Sequence, residues 1–248
     1  MEFYPIISQV HWEDAPKHDL NHGYQLWKVD IARDFSSFEV YYDLIKEEDW
    51  LAIRKYRHEE DQQIRIISTL FPKLLIGAYL NESPCKISFF TNEFGKPLLQ
   101  NDPSFFFNIA HNRSYFMLIC GPKPCGVDVE KQKQIPLERY FLEDIFHPDE
   151  LAYIERGPQR EDAFFKLWVL KEAYLKRLGT GIQEKLHDIS IFQSSTYGHH
   201  CQSRHVSEIQ QVFKLSQDQW CGLSLEGDKQ TTIRYIDFKK EIDFIVGK

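Results

Sequence analysis

The chain has 248 residues, room for one large domain or two small ones, and its 42% hydrophobic and 15% aromatic content excludes a disordered chain. A formal net charge of -7 leaves no basic excess, so nucleic acid is not an expected partner. No apolar run approaches the ~18 residues of a membrane span, Met1-Glu2-Phe3-Tyr4-Pro5 lacks the basic start of a signal peptide, and the five cysteines form no Cys-x-x-Cys, so a cytoplasmic protein with reduced thiols is expected.

Residues 23–31 read as a strand with Tyr24, Leu26 and Val29 as packing positions. Residues 38–53 carry apolar side chains at helical spacing among acids. Residues 54–65 are charged with both signs, and 66–80 continue as an apolar helix with an irregularity at Pro72. A short strand at 87–91 precedes a turn at 92–97, punctuated by Gly95 and Pro97. Residues 105–109 and 115–120 read as a hairpin around His111-Asn112-Arg113. Gly121-Pro122-Lys123-Pro124 reads as a linker, because two prolines so close disfavour both helix and central strand. It divides the chain into 1–121 and 122–248. Beyond it come a strand at 126–130, short helices at 137–146 and 148–155, the clearest helix at 162–178, and then strands separated by turns. The expected fold class is α+β, in two halves of similar size, each a small antiparallel sheet with a long helix.

Three patches carry chemistry. In Gly126-Val127-Asp128-Val129-Glu130, residues two apart share a strand face, so Asp128 and Glu130 project together. Adjacent carboxylates repel unless a cation or proton joins them, and hard oxygens suit Mg²⁺; a solvated sheet face has the same alternation. On the helix, Trp168-Val169-Leu170-Lys171-Glu172-Ala173-Tyr174-Leu175-Lys176 sets Glu172 and Lys176 one turn apart at the flank of an apolar stripe, where a plain surface ion pair would also fit. Lys171 falls inside that stripe, so it must snorkel, pair or face a polar ligand. The third patch is Asn108-Ile109-Ala110-His111-Asn112, preceded by Gly95-Lys96-Pro97, with His111 at a strand end able to bond a phosphate or to serve a structural role.

In this order and spacing, the patches resemble the 4′-phosphopantetheinyl transferase superfamily, in its long, monomeric type named after the surfactin-synthetase activator (Sfp-type). The family signatures are a Gly-Lys-Pro turn, Asn-Ile-Ser-His-Ser, Gly-x-Asp-x-Glu and Trp-x-x-Lys-Glu-Ala-x-x-Lys. The resemblance implies a pseudo-twofold pair of α+β halves and transfer of the phosphopantetheine arm of coenzyme A to a serine of an apo acyl, peptidyl or polyketide carrier protein. It implies that Asp128, Glu130 and Glu172 hold Mg²⁺, that Glu172 is also the base, and that Lys176 serves the leaving phosphate. It further implies that Lys171 and His111 contact phosphates and that Lys96 and Pro97 lie beside the adenine nucleotide. Ala110 and Asn112 stand where the family has serines, and the family's Arg-(Ser/Thr)-x-x-Gly stretch is poorly kept in 63–69. Arg54, Lys55, Arg57 and Arg65 are the candidates for the 3′-phosphate.

Serine is a weak nucleophile at neutral pH, so a carboxylate that accepts its proton and cations that meet the leaving charge suit this transfer. A Mg²⁺-dependent phosphohydrolase could use the same acids, and a homologue that binds coenzyme A or carrier without transfer is the non-enzymatic alternative. His199, His200, Cys201 and His205 match no common zinc spacing and read as an exposed turn.

Overall fold

The central strands are buried along nearly their whole length, and a computed structural model of the chain describes residues 10–13, 23–100, 102–181, 185–194, 208–227 and 230–239. The elements run β1 (Gly23–Asp30), α1 (Ile31–Asp34), a 3₁₀ stretch Phe35–Leu44, α2 (Glu47–Ile53), α3 (Glu59–Leu80), β2 (Phe89–Thr91), β3 (Pro97–Leu99), β4 (Phe106–His111) and β5 (Tyr115–Gly121). They continue as β6 (Cys125–Lys131), α4 (Arg139–Glu143), α5 (Pro148–Arg156), α6 (Arg160–Leu178), α7 (Ile191–Ser194), β7 (Glu208–Ser216), β8 (Gln219–Glu226) and β9 (Thr232–Asp237). The class is α+β. Among the described residues, no helix is long and apolar enough to cross a membrane.

Two expected helices form differently. The 38–53 tract divides into the 3₁₀ stretch and α2, because Ile45 takes an extended conformation between them. Of the 3₁₀ residues only Phe38 is fully buried, so a tighter three-residue period suffices. Helix α3 begins at Glu59 rather than at residue 66. The acids Glu59, Glu60 and Asp61 fill its first turn, where the helix dipole favours negative charge. Pro72 lies inside α3 without ending it.

The elements sort into two compact units. One holds β1 to β5, α1 to α3 and β9. Its main sheet has the order β4-β5-β1-β9, antiparallel except for the parallel pair of β1 with the C-terminal β9. Helix α3 supplies Ile67, Leu70, Phe71 and Leu74 to a core shared with Trp27, Phe38, Phe116 and Phe238. Phe71 meets all four of those rings edge-on, at centroid separations of 5.4–6.2 Å. The other unit holds β6, α4 to α7, β7 and β8, together with the turn at 92–96. Its antiparallel sheet has the order β6-β8-β7.

A charge cluster fastens β9 within its unit. Arg33 forks onto buried Asp34 at 2.8 and 2.7 Å and also bonds Asp237, to which Lys28 adds an ion pair at 3.0 Å. Burial pushes the Asp237 carboxyl up, but Arg33 and Lys28 more than offset this and hold it below its ordinary value. A depressed carboxylate stabilises the fold above its unfolded pKa of about 4 and loses that contribution as pH falls through the folded value. Asp237→Asn should therefore cost about 1–2 kcal/mol at pH 7, a figure discounted because Arg33 is partly exposed. Melts at pH 7 and pH 3 should show the gap between wild type and variant closing in acid.

Candidate active site

The acid pair of β6 is placed by two glycines. Across the β6–β8 ladder, Gly126 faces Ser224, Asp128 faces Gly222 and Glu130 faces Trp220, so these six share one sheet face. A Cβ on Gly126 would collide with the carbonyl oxygen of Ala173, and one on Gly222 would stand 2.5 Å from that of Val169. Helix α6 therefore lies with its backbone against the sheet. Val127 and Val129 are buried on the opposite face. The Val-Asp-Val-Glu alternation is thus no solvated face: Asp128 is only 6% exposed, beneath the helix.

The flank of α6 completes the group. Lys176 Nζ donates to Asp128 Oδ1 at 2.6 Å, while Asp128 Oδ2 is buried with no hydrogen-bond partner. Lys176 thus spans to the strand, and the plain ion pair with Glu172 along the helix, the alternative for these two residues, is not what forms. Burial pushes the Glu172 carboxyl up, and the neighbouring Asp128 adds to the rise, as does Glu130, while Lys176 opposes it. Burial likewise raises Glu130, with Asp128 next, against a hydrogen bond from Trp168. Three carboxylates thus repel one another in a half-dry setting, where a proton or a hard cation is favoured. Among the described residues, no His, Cys, Asp or Glu side chains converge as a ready-made metal cage. The donor set still suits a hard divalent cation: all donors are carboxylate oxygens, and one buried oxygen lacks a partner.

Other expected site residues lie elsewhere. Lys171 is 1% exposed and ion-paired to Glu150 at 2.9 Å, on the side of α6 away from the acids, so the expected phosphate contact gives way to an internal pair. Lys96 donates to Arg177 O at 3.0 Å, and Asn92 Nδ2 donates to Gly179 O at 2.8 Å, so the 92–96 turn caps the C-terminus of α6. In the other unit, His111 ends β4, exposed and stacked on Phe116 at 6.3 Å. Asn112, one of the departures, closes the β4–β5 turn by accepting from Ser114 N at 2.8 Å and Tyr115 N at 3.0 Å, and Ala110 is buried. Pro97 begins β3 and is half-buried; Arg54, Lys55 and Arg57 are exposed between α2 and α3, and Arg65 is exposed on α3. His199, His200, Cys201 and His205 lie outside the described residues. Sequence reasoning missed Gly222 and Glu150. A glycine inside the strand pattern around Cys221-Gly222-Leu223 is a signal of close backbone approach, but nothing local marks Glu150 as the partner of Lys171.

A family model described as the 4′-phosphopantetheinyl transferase superfamily matches residues 124–224. A second, described as 4′-phosphopantetheinyl transferase, N-terminal, matches residues 32–123. The chain is 29% identical over 140 residues to the 4′-phosphopantetheinyl transferase Sfp of Bacillus subtilis (strain 168), a match covering 56% of this chain and 62% of that protein. It is 31% identical over 154 residues to a phosphopantetheinyl transferase of a Thraustochytrium species, covering 56% and 54%. It is 29% identical over 156 residues to the L-aminoadipate-semialdehyde dehydrogenase-phosphopantetheinyl transferase of Schizosaccharomyces pombe, covering 56% and 60%. Each match spans less than two thirds of the relative's length.

The glycine contacts make a direct prediction. Gly126→Ala should force α6 off the sheet, at about 1–3 kcal/mol and a drop of roughly 3–10 °C in Tm. Gly157→Ala, whose Cβ would meet nothing nearer than 3.4 Å, should melt with the wild type. Equal melting of all three proteins would refute the close approach.

Proposed function

We propose that this chain, which belongs to the 4′-phosphopantetheinyl transferase superfamily, moves the phosphopantetheine arm of coenzyme A onto a serine of an apo acyl, peptidyl or polyketide carrier protein. The observation that carries the reading is the buried Asp128 carboxylate, one oxygen on Lys176 and the other without a partner, beside two acids with raised pKa values. In this reading the acids belong to a C-terminal half, 122–248. Lys96, Pro97, His111 and Arg57, of an N-terminal half at 1–121, contact coenzyme A. The chain acts as a monomer in the cytoplasm, a setting that suits the free thiols of Cys85, Cys120, Cys125 and Cys221.

Asp128, Glu130 and Glu172 would hold Mg²⁺, which when bound neutralises pyrophosphate charge. The chain's own groups do the rest. The serine oxygen bonds to the pantetheine-side phosphorus while the bridging P–O bond breaks. The hydroxyl proton passes to Glu172, and the electron pair of the broken bond leaves on adenosine 3′,5′-bisphosphate. A carboxylate raised by burial is a better proton acceptor near neutral pH than an exposed one. Lys176, one turn along α6, meets the charge that develops on the leaving phosphate.

Incubation with coenzyme A, Mg²⁺ and several apo-carrier proteins, followed by intact-mass measurement, tests the reading. The carrier should gain one phosphopantetheine arm, EDTA should abolish the gain, and added Mg²⁺ should restore it. Glu172→Gln should lower kcat by about 10²–10⁴-fold with little change in Tm; near-normal turnover would remove Glu172 as the base. His111→Ala should raise KM for coenzyme A while kcat changes little, and a collapsed kcat at normal KM would make His111 catalytic instead.

A further inference from the structure

On the face of α6 turned away from the sheet, one charged pair is wholly enclosed. Glu150, near the start of α5, is 0% exposed, and Lys171 is 1% exposed. The three ammonium protons have three acceptors: Glu150 Oε2 at 2.9 Å, Leu186 O at 2.9 Å and Ile189 O. The Phe146 ring lies 5.8 Å below the ammonium. Glu150 in turn accepts from Ile191 N at 2.7 Å on one oxygen and from His147 N at 3.0 Å on the other. The pair thus ties together α5, the 186–191 segment and the middle of α6.

Such a pair is an expensive way to fill a core, since well-packed apolar side chains of similar volume serve stability as well or better. Phe164 and Leu167, buried on the same helix, do so. What the pair adds is direction. Apolar contacts let a helix roll about its axis at little cost, whereas three hydrogen bonds to fixed acceptors do not. The residue after Lys171 is Glu172. With a carboxylate roughly 6 Å from the helix axis, a 20° roll would move it about 2 Å, and about 1 Å of misplacement can cost about 10²-fold in rate.

We infer that Glu150 is a positioning residue: through Lys171 it holds α6 at the rotation that presents Glu172 to Asp128. Its kinetic test rests on the transfer reading above, and its exchange test does not. The variant to make is the double substitution Glu150→Gln/Lys171→Met, which removes both charges so that neither is left buried alone. Glu150→Asp, which keeps both charges and shortens the reach to Lys171 by one methylene, is the milder form should the double variant fold poorly. Folded enzyme should lose about 10–100-fold in kcat with KM for coenzyme A within about twofold. In a Glu172→Gln background the same change should have almost no further effect, because there is no base left to misplace. An unchanged kcat, or an equal loss in both backgrounds, overturns the inference and leaves the pair a packing element. Amide hydrogen exchange tests the tether itself without the reaction. Exchange across 170–176 should accelerate while β6 and β8 keep their protection; unaltered exchange in α6 counts against positioning. Wild-type protein that transfers nothing would defeat the transfer reading, and the exchange result would still stand.

Discussion

The approach of α6 to the β6–β8 ladder is the constraint on which the acid group depends. An ordinary helix packs on a sheet across a layer of side chains. Here Gly126 and Gly222 remove that layer at two points, and the helix carbonyls of Ala173 and Val169 occupy the space. Because Asp128 is the direct cross-strand partner of Gly222, the same contact brings the helix flank within reach of its carboxylate. Lys176 spans the gap at 2.6 Å. With side chains at 126 and 222, the helix would ride higher and the acids would lie on an open sheet surface.

Close approach also sets the electrostatics. Where the helix meets the sheet, Asp128, Glu130 and Glu172 lose water and feel one another, so the Glu130 and Glu172 carboxyls are raised from their ordinary value. Lys176 and Trp168 answer only part of this, and one Asp128 oxygen stays buried without a partner. A group this costly to stability is what functional sites look like when local rules are broken for a purpose. The stabilising work falls on the surroundings, where Phe164, Leu167, Val169 and Leu170 lie in a core with Phe146, Leu151 and Trp220.

The helix is held from its other ends too. Gly179 takes a left-handed conformation (φ 73°), and the turn at 92–96 meets the final carbonyls of α6 through Lys96 and Asn92. Arg177 is drawn down to Ser224 and Glu208 in the sheet. Each of these contacts is polar and directional. Together with the Glu150–Lys171 pair, they give a helix with an apolar core a defined rotation and end point.

Features with a strong local signal were legible in the sequence. The alternation in 126–130, the helical stripe of 162–178, the hairpin around His111 and the family resemblance itself all follow from residues close together in the chain. Periodicity says which side chains share a face. It says nothing of what lies across from that face. So the sequence allowed Asp128 and Glu130 to face solvent and Lys171 to face a phosphate. The fold instead brought α6 over the acids and Glu150 to Lys171. The pairing of β9 with β1 was hidden for the same reason: Arg33 and Asp237 stand 204 positions apart. The sequence by itself determined the class of fold and the donor chemistry of the acid group, because both are local properties of residue type and spacing. Only the tertiary structure decided which charges are paired and which oxygen is left bare, because that depends on how closely one backbone can approach another.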